Sequence, residues 1–211
     1  KAENFEMAVH DLLKKYMTEH QRIIFNGNGY SQEWVEEAAR RGLPNIGSMV
    51  ETVETLTTEK SIALFEKFHI FTKPELEARK EVLYDTYAKT INIEARTMVD
   101  MVLHQILPAA LAYSSDLAAA VERKGKAGIS AVTELSLAQR LSSACDSLYE
   151  NCERLHKLLK SVPSDSLQAA QYHSSVIIPL MQSMRGDADL LEKLTAKSYW
   201  PYPTYADILF Y

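Results

Sequence analysis

The stretch of sequence that decides the fold runs from Pro74 to Lys124 and reads PELEARKEVLYDTYAKTINIEARTMVDMVLHQILPAALAYSSDLAAAVERK. Apolar residues recur in it every three or four positions: Leu83, Tyr87, Ile91, Ala95, Met98, Val102, Ile106, Ala109, Tyr113 and Leu117. Because an α-helix repeats every 3.6 residues, this spacing places all of these side chains on one face. The stretch therefore predicts a long amphipathic helix that turns one apolar stripe towards a core.

Local signals predict where this helix begins, ends and is disturbed. Thr72 followed three residues later by Glu75 predicts a capping box at its start. Gly125 and Gly128 mark the end of the helical pattern. Pro108 removes one backbone donor and clashes with the preceding turn, so we expect a kink or a short break there.

Two further long helices follow. One is predicted from Ala131 to Lys160, and after a break at Val162–Asp165 the other carries apolar residues from Leu167 to Leu194. Pro179 and Gly186 are expected to bend the last helix. The prediction is an all-α fold, an antiparallel three- or four-helix bundle with kinked long helices.

The N-terminal part predicts smaller elements. Residues 3–19 predict a surface-packed amphipathic helix. The run Ile23-Ile24-Phe25 predicts one short strand, and Asn26-Gly27-Asn28-Gly29 predicts a tight turn that uses positive φ angles. Because the chain offers no second strand, we expect the partner strand in a missing segment or another subunit. Small helices are predicted over residues 31–72.

Composition and charge exclude some functions. The chain of 211 residues has 46% hydrophobic residues and a net charge of −5, so it lacks the basic surface that nucleic-acid partners require. No apolar run approaches the ~20 residues of a membrane span, and no secretory leader is recognised. We therefore expect a cytoplasmic protein without nucleic-acid or membrane partners.

Two groups of side chains have spacings that metal sites use. Cys145, Cys152 and His156 share a predicted helix face, and Asp100 and His104 lie four residues apart. A zinc site needs three or four converging ligands, and a di-iron bundle needs Glu-x-x-His twice, so neither group is complete. The two cysteines lie about 10 Å apart along a helix, too far for a disulfide. We predict reduced core cysteines and a hydrogen-bonded Asp–His pair.

The Asn26–Gly29 turn is the remaining candidate, because glycine-rich turns can present backbone N–H groups to an anion. No lysine follows in P-loop register, and no dinucleotide fingerprint is present, so a structural turn is favoured. No nucleophile, base and orienting group can be assembled from the sequence. The predicted set of catalytic, cofactor-binding and metal-binding residues is therefore empty.

Several unlike motifs together resemble one protein family over nearly the whole chain. They are Ile24-Phe25-Asn26-Gly27-Asn28-Gly29-Tyr30-Ser31 with Trp34, Arg41-Gly42-Leu43-Pro44-Asn45, Ile93-Glu94-Ala95-Arg96-Thr97-Met98, Ile106-Leu107-Pro108-Ala109, and Trp200-Pro201 with Pro203-Thr204-Tyr205. In this order they resemble the C-terminal part of type III glutamine synthetases.

The resemblance implies a large cytoplasmic bacterial ligase that joins glutamate and ammonia with ATP and Mg²⁺ or Mn²⁺, in a homo-oligomeric dodecamer. The family's catalytic motifs are not found here, so no catalytic residue is carried over, and the catalytic domain would precede this chain. Residues 1–30 would then be the last part of that catalytic domain. The rest of the chain would consist of connecting helices (31–72), the helical bundle (73–197) and an aromatic tail (198–211). With six aromatic residues in its last thirteen positions, the tail is expected to dock on the bundle or elsewhere in the assembly.

Two other classes remain open from the residues alone. One is a stand-alone helical protein-interaction module, and the other is a small metalloenzyme of the helical-bundle type. The resemblance favours a helical domain that supports the catalytic domain or a subunit interface and is inactive alone.

Overall fold

A computed structural model describes residues 4–209. The chain forms two compact units that divide between Gly47 and Ser48. Within the described residues all regular structure is helical and there is no β-strand, so the predicted all-α class is confirmed. The predicted segments 1–30, 31–72, 73–197 and 198–211 do not follow this division and stay a prediction about a longer protein.

The first unit is built from α1 (Phe5–Glu19) and α2 (Gln32–Arg40), with a 3₁₀ turn at Gln21–Ile23 between them. The Asn4 side chain caps α1 by accepting a hydrogen bond from the Met7 backbone N–H at 3.2 Å. No residue of α1 is buried. Its apolar stripe therefore lies on the surface.

Gly42 ends α2 as its sequence pattern suggests. Its φ of +69° is a left-handed conformation that glycine adopts without strain. This lets the Leu43 N–H return to the Ala38 carbonyl oxygen at 2.9 Å. The last carbonyls of α2 are thereby satisfied.

The strand predicted at Ile23-Ile24-Phe25 is not present. The Arg41 Nη1 atom donates to the carbonyl oxygens of Gln21 at 3.3 Å and Arg22 at 3.1 Å, and also to that of Ile24. Ile23 ends the 3₁₀ turn, whereas Ile24 has an extended backbone with φ of −89° and ψ of 127° but pairs with no second strand among the described residues. The chain therefore passes from a 3₁₀ turn into an extended but unpaired segment, and the Arg41 guanidinium binds the carbonyl groups of both parts.

The second unit contains the longer helices. They are α3 (Met49–Glu54), α4 (Glu59–Lys67), α5 (Lys73–Met101), α6 (Leu107–Lys126), α7 (Val132–Leu158), α8 (Ser166–Tyr172), α9 (Ile178–Leu194) and α10 (Tyr205–Leu209). The predicted capping box begins α5, where the Glu75 carboxylate accepts from the Thr72 N–H at 2.7 Å. The long helices form three rods: α5 continues into α6, α7 is a rod by itself, and α8 continues into α9. α6 and α9 pack on α7, and α5 packs on α8.

Both interruptions in the rods take the same form. A π-helical turn at Val102–Ile106 joins α5 to α6, and another at His173–Ile177 joins α8 to α9. Each ends two residues before a proline, Pro108 or Pro179. A widened turn moves the carbonyl that the proline ring would strike and leaves the chain helical. The rods are thus irregular but unbroken, and α9 continues as an α-helix through Gly186.

The core has two parts. The main cluster lies between the second half of the α5–α6 rod, α7 and α9, and its fully buried members include Ala95, Leu141, Leu148, Leu155, Ile177, Met184 and Leu191. A smaller cluster contains Val50, Val53, Tyr84 and Ala170. The stripe predicted along Pro74–Lys124 therefore faces both clusters in turn.

The segment Thr195–Thr204, here called the strap, follows α9. Trp200 and Tyr202 pack against the main core cluster. The Tyr199 ring lies 5.1 Å from the Tyr113 ring, and its hydroxyl donates to Asp116. The sequence left open whether the tail docks on the bundle or elsewhere in the assembly, and the strap docks on the bundle. Phe210 and Tyr211 lie outside the described residues.

Candidate functional site

The Asn26–Gly29 turn is closed by its own hydrogen bonds. The Asn28 side-chain oxygen accepts from the Tyr30 N–H at 3.0 Å, and the Asn28 carbonyl accepts from the Ser31 N–H at 3.1 Å. The Ser31 hydroxyl donates to the same carbonyl at 2.7 Å. Two N–H groups after the turn are therefore engaged within it, which favours the structural interpretation over an anion site.

Aromatic packing closes the other side of this turn. The Phe25 and Trp34 rings have centroids 4.7 Å apart. A Cβ atom on Gly27 would lie 2.4 Å from Cζ of Phe25, closer than any real side chain allows. The turn thus positions Phe25 against α2, and it uses glycine for space.

The two cysteines do not form a metal site with His156. Cys145 and Cys152 are buried free thiols on α7, whereas His156 is exposed. Burial, with a smaller contribution from Asp146 or Glu153, raises the pKa of each thiol to about 11. Protonated thiols in an apolar core are poor metal ligands and poor nucleophiles, so these residues act in packing.

Asp100 and His104 are brought together as predicted, but at the surface. His104 Nδ1 lies 2.9 Å from Asp100 Oδ1, and the two side chains are 69% and 67% exposed. A polar pair in that much water contributes little to stability and creates no desolvated site.

The remaining histidine of interest, His173, is buried in the second π-helical turn. Its Nδ1 lies 2.7 Å from the Ala169 carbonyl oxygen, so this nitrogen carries the proton. Across residues 4–209, no three His, Cys, Asp or Glu side chains converge in a way that could hold a metal ion. No helix in the same range is long and apolar enough to cross a bilayer.

A pocket lies beneath the strap, and we call it the strap pocket. Its walls come from α5 and the first π-helical turn, from α9, and from the strap, and it has a volume of about 500 Å³. Its apolar lining consists of Ile93, Met98, Met101, Val102, Ile106, Met181, Met184, Ala188, Trp200, Tyr202 and Pro203. Four methionines and two aromatic rings make this lining adaptable and apolar.

Charged and polar groups surround this apolar lining. Glu94, Arg185, Asp189 and Glu192 complete the pocket wall, and Arg185 Nε donates to Asp189 at 2.7 Å. On the strap itself, three polar side-chain atoms are buried with no hydrogen-bond partner among the described residues: Thr195 Oγ1, Trp200 Nε1 and Tyr202 Oη. The strap therefore packs through apolar contacts and leaves several polar groups unsatisfied.

Sequence reasoning did not find the strap pocket. Its walls on α5 and the first π-helical turn lie at least 75 residues in sequence from its wall on α9, from Ile106 to Met181, and only the aromatic composition of the tail indicated that a surface would be covered. The spacing of the four methionines fits core packing equally well.

These observations define an all-α domain with an exposed apolar helix face and an apolar pocket beneath the strap. Residues 8–125 match the family described as the glutamine synthetase C-terminal domain. The chain therefore belongs to the glutamine synthetase C-terminal domain family, as the sequence motifs implied.

Similar proteins agree with this assignment. The chain is 34% identical over 206 residues to a glutamine synthetase of Butyrivibrio fibrisolvens, covering 96% of this chain and 29% of that protein. It is 31% identical over 218 residues to the type-3 glutamine synthetase of Dictyostelium discoideum, covering 100% of this chain and 30% of that protein. The chain thus spans less than a third of the length of these relatives and matches their C-terminal part.

Proposed function

We propose that this chain serves as the C-terminal helical domain of a type III glutamine synthetase, a ligase that joins ammonia to glutamate with ATP. In the full-length protein it supports the catalytic domain or a subunit interface, and it has no ligase activity alone. The full-length protein is proposed to be cytoplasmic, bacterial and homo-oligomeric, with the dodecameric ring assembly that the family resemblance implies.

The observation that carries the proposal is the exposed apolar stripe of α1. Phe5 is 77% exposed and Leu13 is 57% exposed, although both lie on the stripe that a packed amphipathic helix would bury. Tyr16 and Met17 continue the surface, at 50% and 58%. Apolar surface of this extent favours a protein partner. The greater length of the relatives makes the preceding catalytic domain the natural partner.

The substrates and cofactors belong to the rest of the ligase in this proposal. ATP with Mg²⁺ or Mn²⁺ requires clustered oxygen ligands, and no such cluster is found among the acidic residues and histidines of residues 4–209. The residues of this chain therefore do not fit the metal, and no reaction step is assigned to them. The catalytic carboxylates and the ATP-binding groups would be supplied by the domain before Lys1.

The first experiment separates the domain from the enzyme. The 211-residue chain is assayed for glutamine formation with ATP, glutamate, ammonia and Mg²⁺, beside the full-length ligase. We expect turnover by the full-length protein and none by the chain. Measurable turnover by the chain alone would rule the proposal out.

The second experiment tests the α1 surface in the full-length ligase. Leu13→Gln changes the apolar stripe, while Lys14→Gln changes the adjacent polar side and is the matched control. We expect Leu13→Gln to weaken assembly, measured by analytical ultracentrifugation, and to lower activity, with Lys14→Gln close to wild type. Equal behaviour of the two variants would show that α1 does not form this contact.

A further inference from the structure

We propose that the strap pocket is a binding site for a small organic cation, a protonated amine carried on an apolar aliphatic or aromatic body. This inference concerns the second unit alone and does not depend on the proposed ligase function.

The size and lining of the pocket specify the apolar body. A volume of about 500 Å³ lies within the range of small-molecule sites in proteins, roughly 300–1,000 Å³. Met98 and Met101 line it from α5 and Met181 and Met184 from α9, and flexible thioether side chains adapt to ligands of irregular shape. Trp200 forms part of the wall on the strap side.

The charges on the wall specify a cation. Glu94, Asp189 and Glu192 provide three carboxylates against the single guanidinium of Arg185, which gives the wall a formal net charge of −2. Because Arg185 already donates to Asp189, it is less available to an added anion. A carboxylate ligand would therefore meet net repulsion, whereas an ammonium group would be attracted.

The aromatic rings of the strap favour the same charge. Trp200 and Tyr202 line the pocket, and an aromatic ring attracts an organic cation that lies over its face. A desolvated ammonium beside Trp gains most from this interaction. The aromatic residues and the carboxylates of the lining thus favour the same kind of ligand, an organic cation.

The strap also offers a way into the pocket. The buried Trp200 Nε1 and Tyr202 Oη lack partners in the described part of the chain, as does Thr195 Oγ1 where the strap begins. Polar groups that lose water without gaining a partner destabilise the closed position. The strap can therefore lift to admit a ligand without breaking side-chain hydrogen bonds of these three groups.

The test compares two probes with the same body and opposite charge. Isothermal titration calorimetry of the full chain at pH 7 uses 4-phenylbutylamine, which is protonated, and 5-phenylpentanoate, which is ionised. We expect the amine to bind with a dissociation constant below about 1 mM and the carboxylate at least about tenfold more weakly. Equal binding of both probes, or no heat from the amine at about 10 mM, would overturn the proposal.

Two pairs of variants place the binding at the strap pocket. Ala188→Leu fills the pocket, and its control is Ala118→Leu at an exposed position of α6. Glu94→Gln removes one wall charge, and its control is Glu33→Gln in the first unit. We expect Ala188→Leu to weaken amine binding at least about tenfold and Glu94→Gln about two- to fivefold, with both controls unchanged.

Each other result counts against the site. Amine binding that survives both Ala188→Leu and Glu94→Gln would place the amine elsewhere and overturn the proposal. Concentration-dependent self-association that Ala188→Leu abolishes, without amine binding, would show that a second copy occupies the pocket. If Ala188→Leu loses its helical circular dichroism signal, it is unfolded and cannot serve as a test. The comparison of Glu94→Gln with Glu33→Gln then decides whether the amine binds in the strap pocket.

Discussion

The ring of Phe25 folds back over Gly27, so that a Cβ atom placed on Gly27 would lie 2.4 Å from Cζ and 2.7 Å from Cε1 of Phe25. The same ring packs against Trp34 at the start of α2. Gly27 does not have a positive φ, since among the described glycines only Gly42 and Gly128 do. The Asn-Gly turn therefore needs this glycine because the aromatic ring leaves no room for a side chain.

Gly27→Ala is expected to destabilise the first unit by about 1–3 kcal/mol, because Phe25 must leave its position against Trp34. Urea unfolding followed by tryptophan fluorescence in a Trp200→Phe background makes Trp34 the only reporter. Gly29→Ala is the matched control, because a Cβ at that position meets nothing within 4 Å. Equal unfolding free energies for the two variants would contradict this account.

Acid should destabilise the first unit through Glu37. Hydrogen bonds from Arg40 and then Arg41 hold the pKa of Glu37 at about 2, below its usual value of 4.5. A carboxyl group with a lowered pKa in the folded state stabilises that state above pH 4.5. We expect this stabilisation to be lost as the pH falls from 4.5 towards 2.

The measurement is Trp34 fluorescence during urea unfolding at several pH values. Glu37→Gln should be less stable near pH 6 and should show a flatter dependence below pH 4.5. Glu36→Gln, one residue earlier and exposed, is the control. If Glu37→Gln and wild type lose stability in parallel below pH 4.5, the arginine pairing is not what stabilises this unit.

Tyr84 connects α5 to the end of α3 in the second unit. Its hydroxyl donates to the Glu54 carboxylate at 2.6 Å, and Lys80 Nζ donates to the other oxygen of that carboxylate at 2.7 Å. Hydrogen bonds from Lys80 and then Tyr84 lower the pKa of Glu54, and burial raises the pKa of the Tyr84 phenol. At neutral pH the Tyr84 hydroxyl is therefore a neutral donor and the Glu54 carboxylate an ionised acceptor.

Tyr84→Phe should therefore lower the unfolding free energy of the second unit by about 1–2 kcal/mol, because the ring is kept and only the hydrogen bond is lost. Urea unfolding monitored by circular dichroism at 222 nm measures this. Tyr149→Phe, on the exposed side of α7, is the control and should change little. An equally small effect at Tyr84 would mean that the Glu54 contact is not a stabilising one.

Helical periodicity predicted the bundle because burial of an apolar stripe is a local pattern. Ala95, Val102, Ile106 and Leu117 were expected on one face from their spacing, and they are buried together in the main cluster. The same reasoning failed at Ile24, where a run of strand-forming residues suggested a strand. Ile24 is extended there, but no second strand pairs with it among the described residues, and a local pattern cannot show whether a partner strand is present.

The π-helical turns and the strap pocket also could not be predicted from local sequence patterns. Pro108 indicated a disturbance, but the sequence does not say whether the chain bends, breaks or widens, since that depends on the packing of Val102 and Ile106. The strap pocket exists because Trp200 packs beside both α9, which directly precedes the strap, and the end of α5, about a hundred residues earlier in the sequence. Composition predicted that the tail would dock, and only the fold shows where.

The thiols of α7 should be unreactive in the folded chain. Cys152 is fully buried and Cys145 is 3% exposed, and burial raises the pKa of both to about 11. Because the thiolate is the reactive form, both low access and low ionisation suppress the reaction.

With an aromatic disulfide reagent at pH 8, we expect almost no release of the coloured thiolate from native protein and release from both cysteines in urea. Ser142→Cys, exposed on the same helix, is the positive control and should react at once. Native thiols reacting as fast as that added one would contradict their burial and reopen the metal-site interpretation of Cys145 and Cys152.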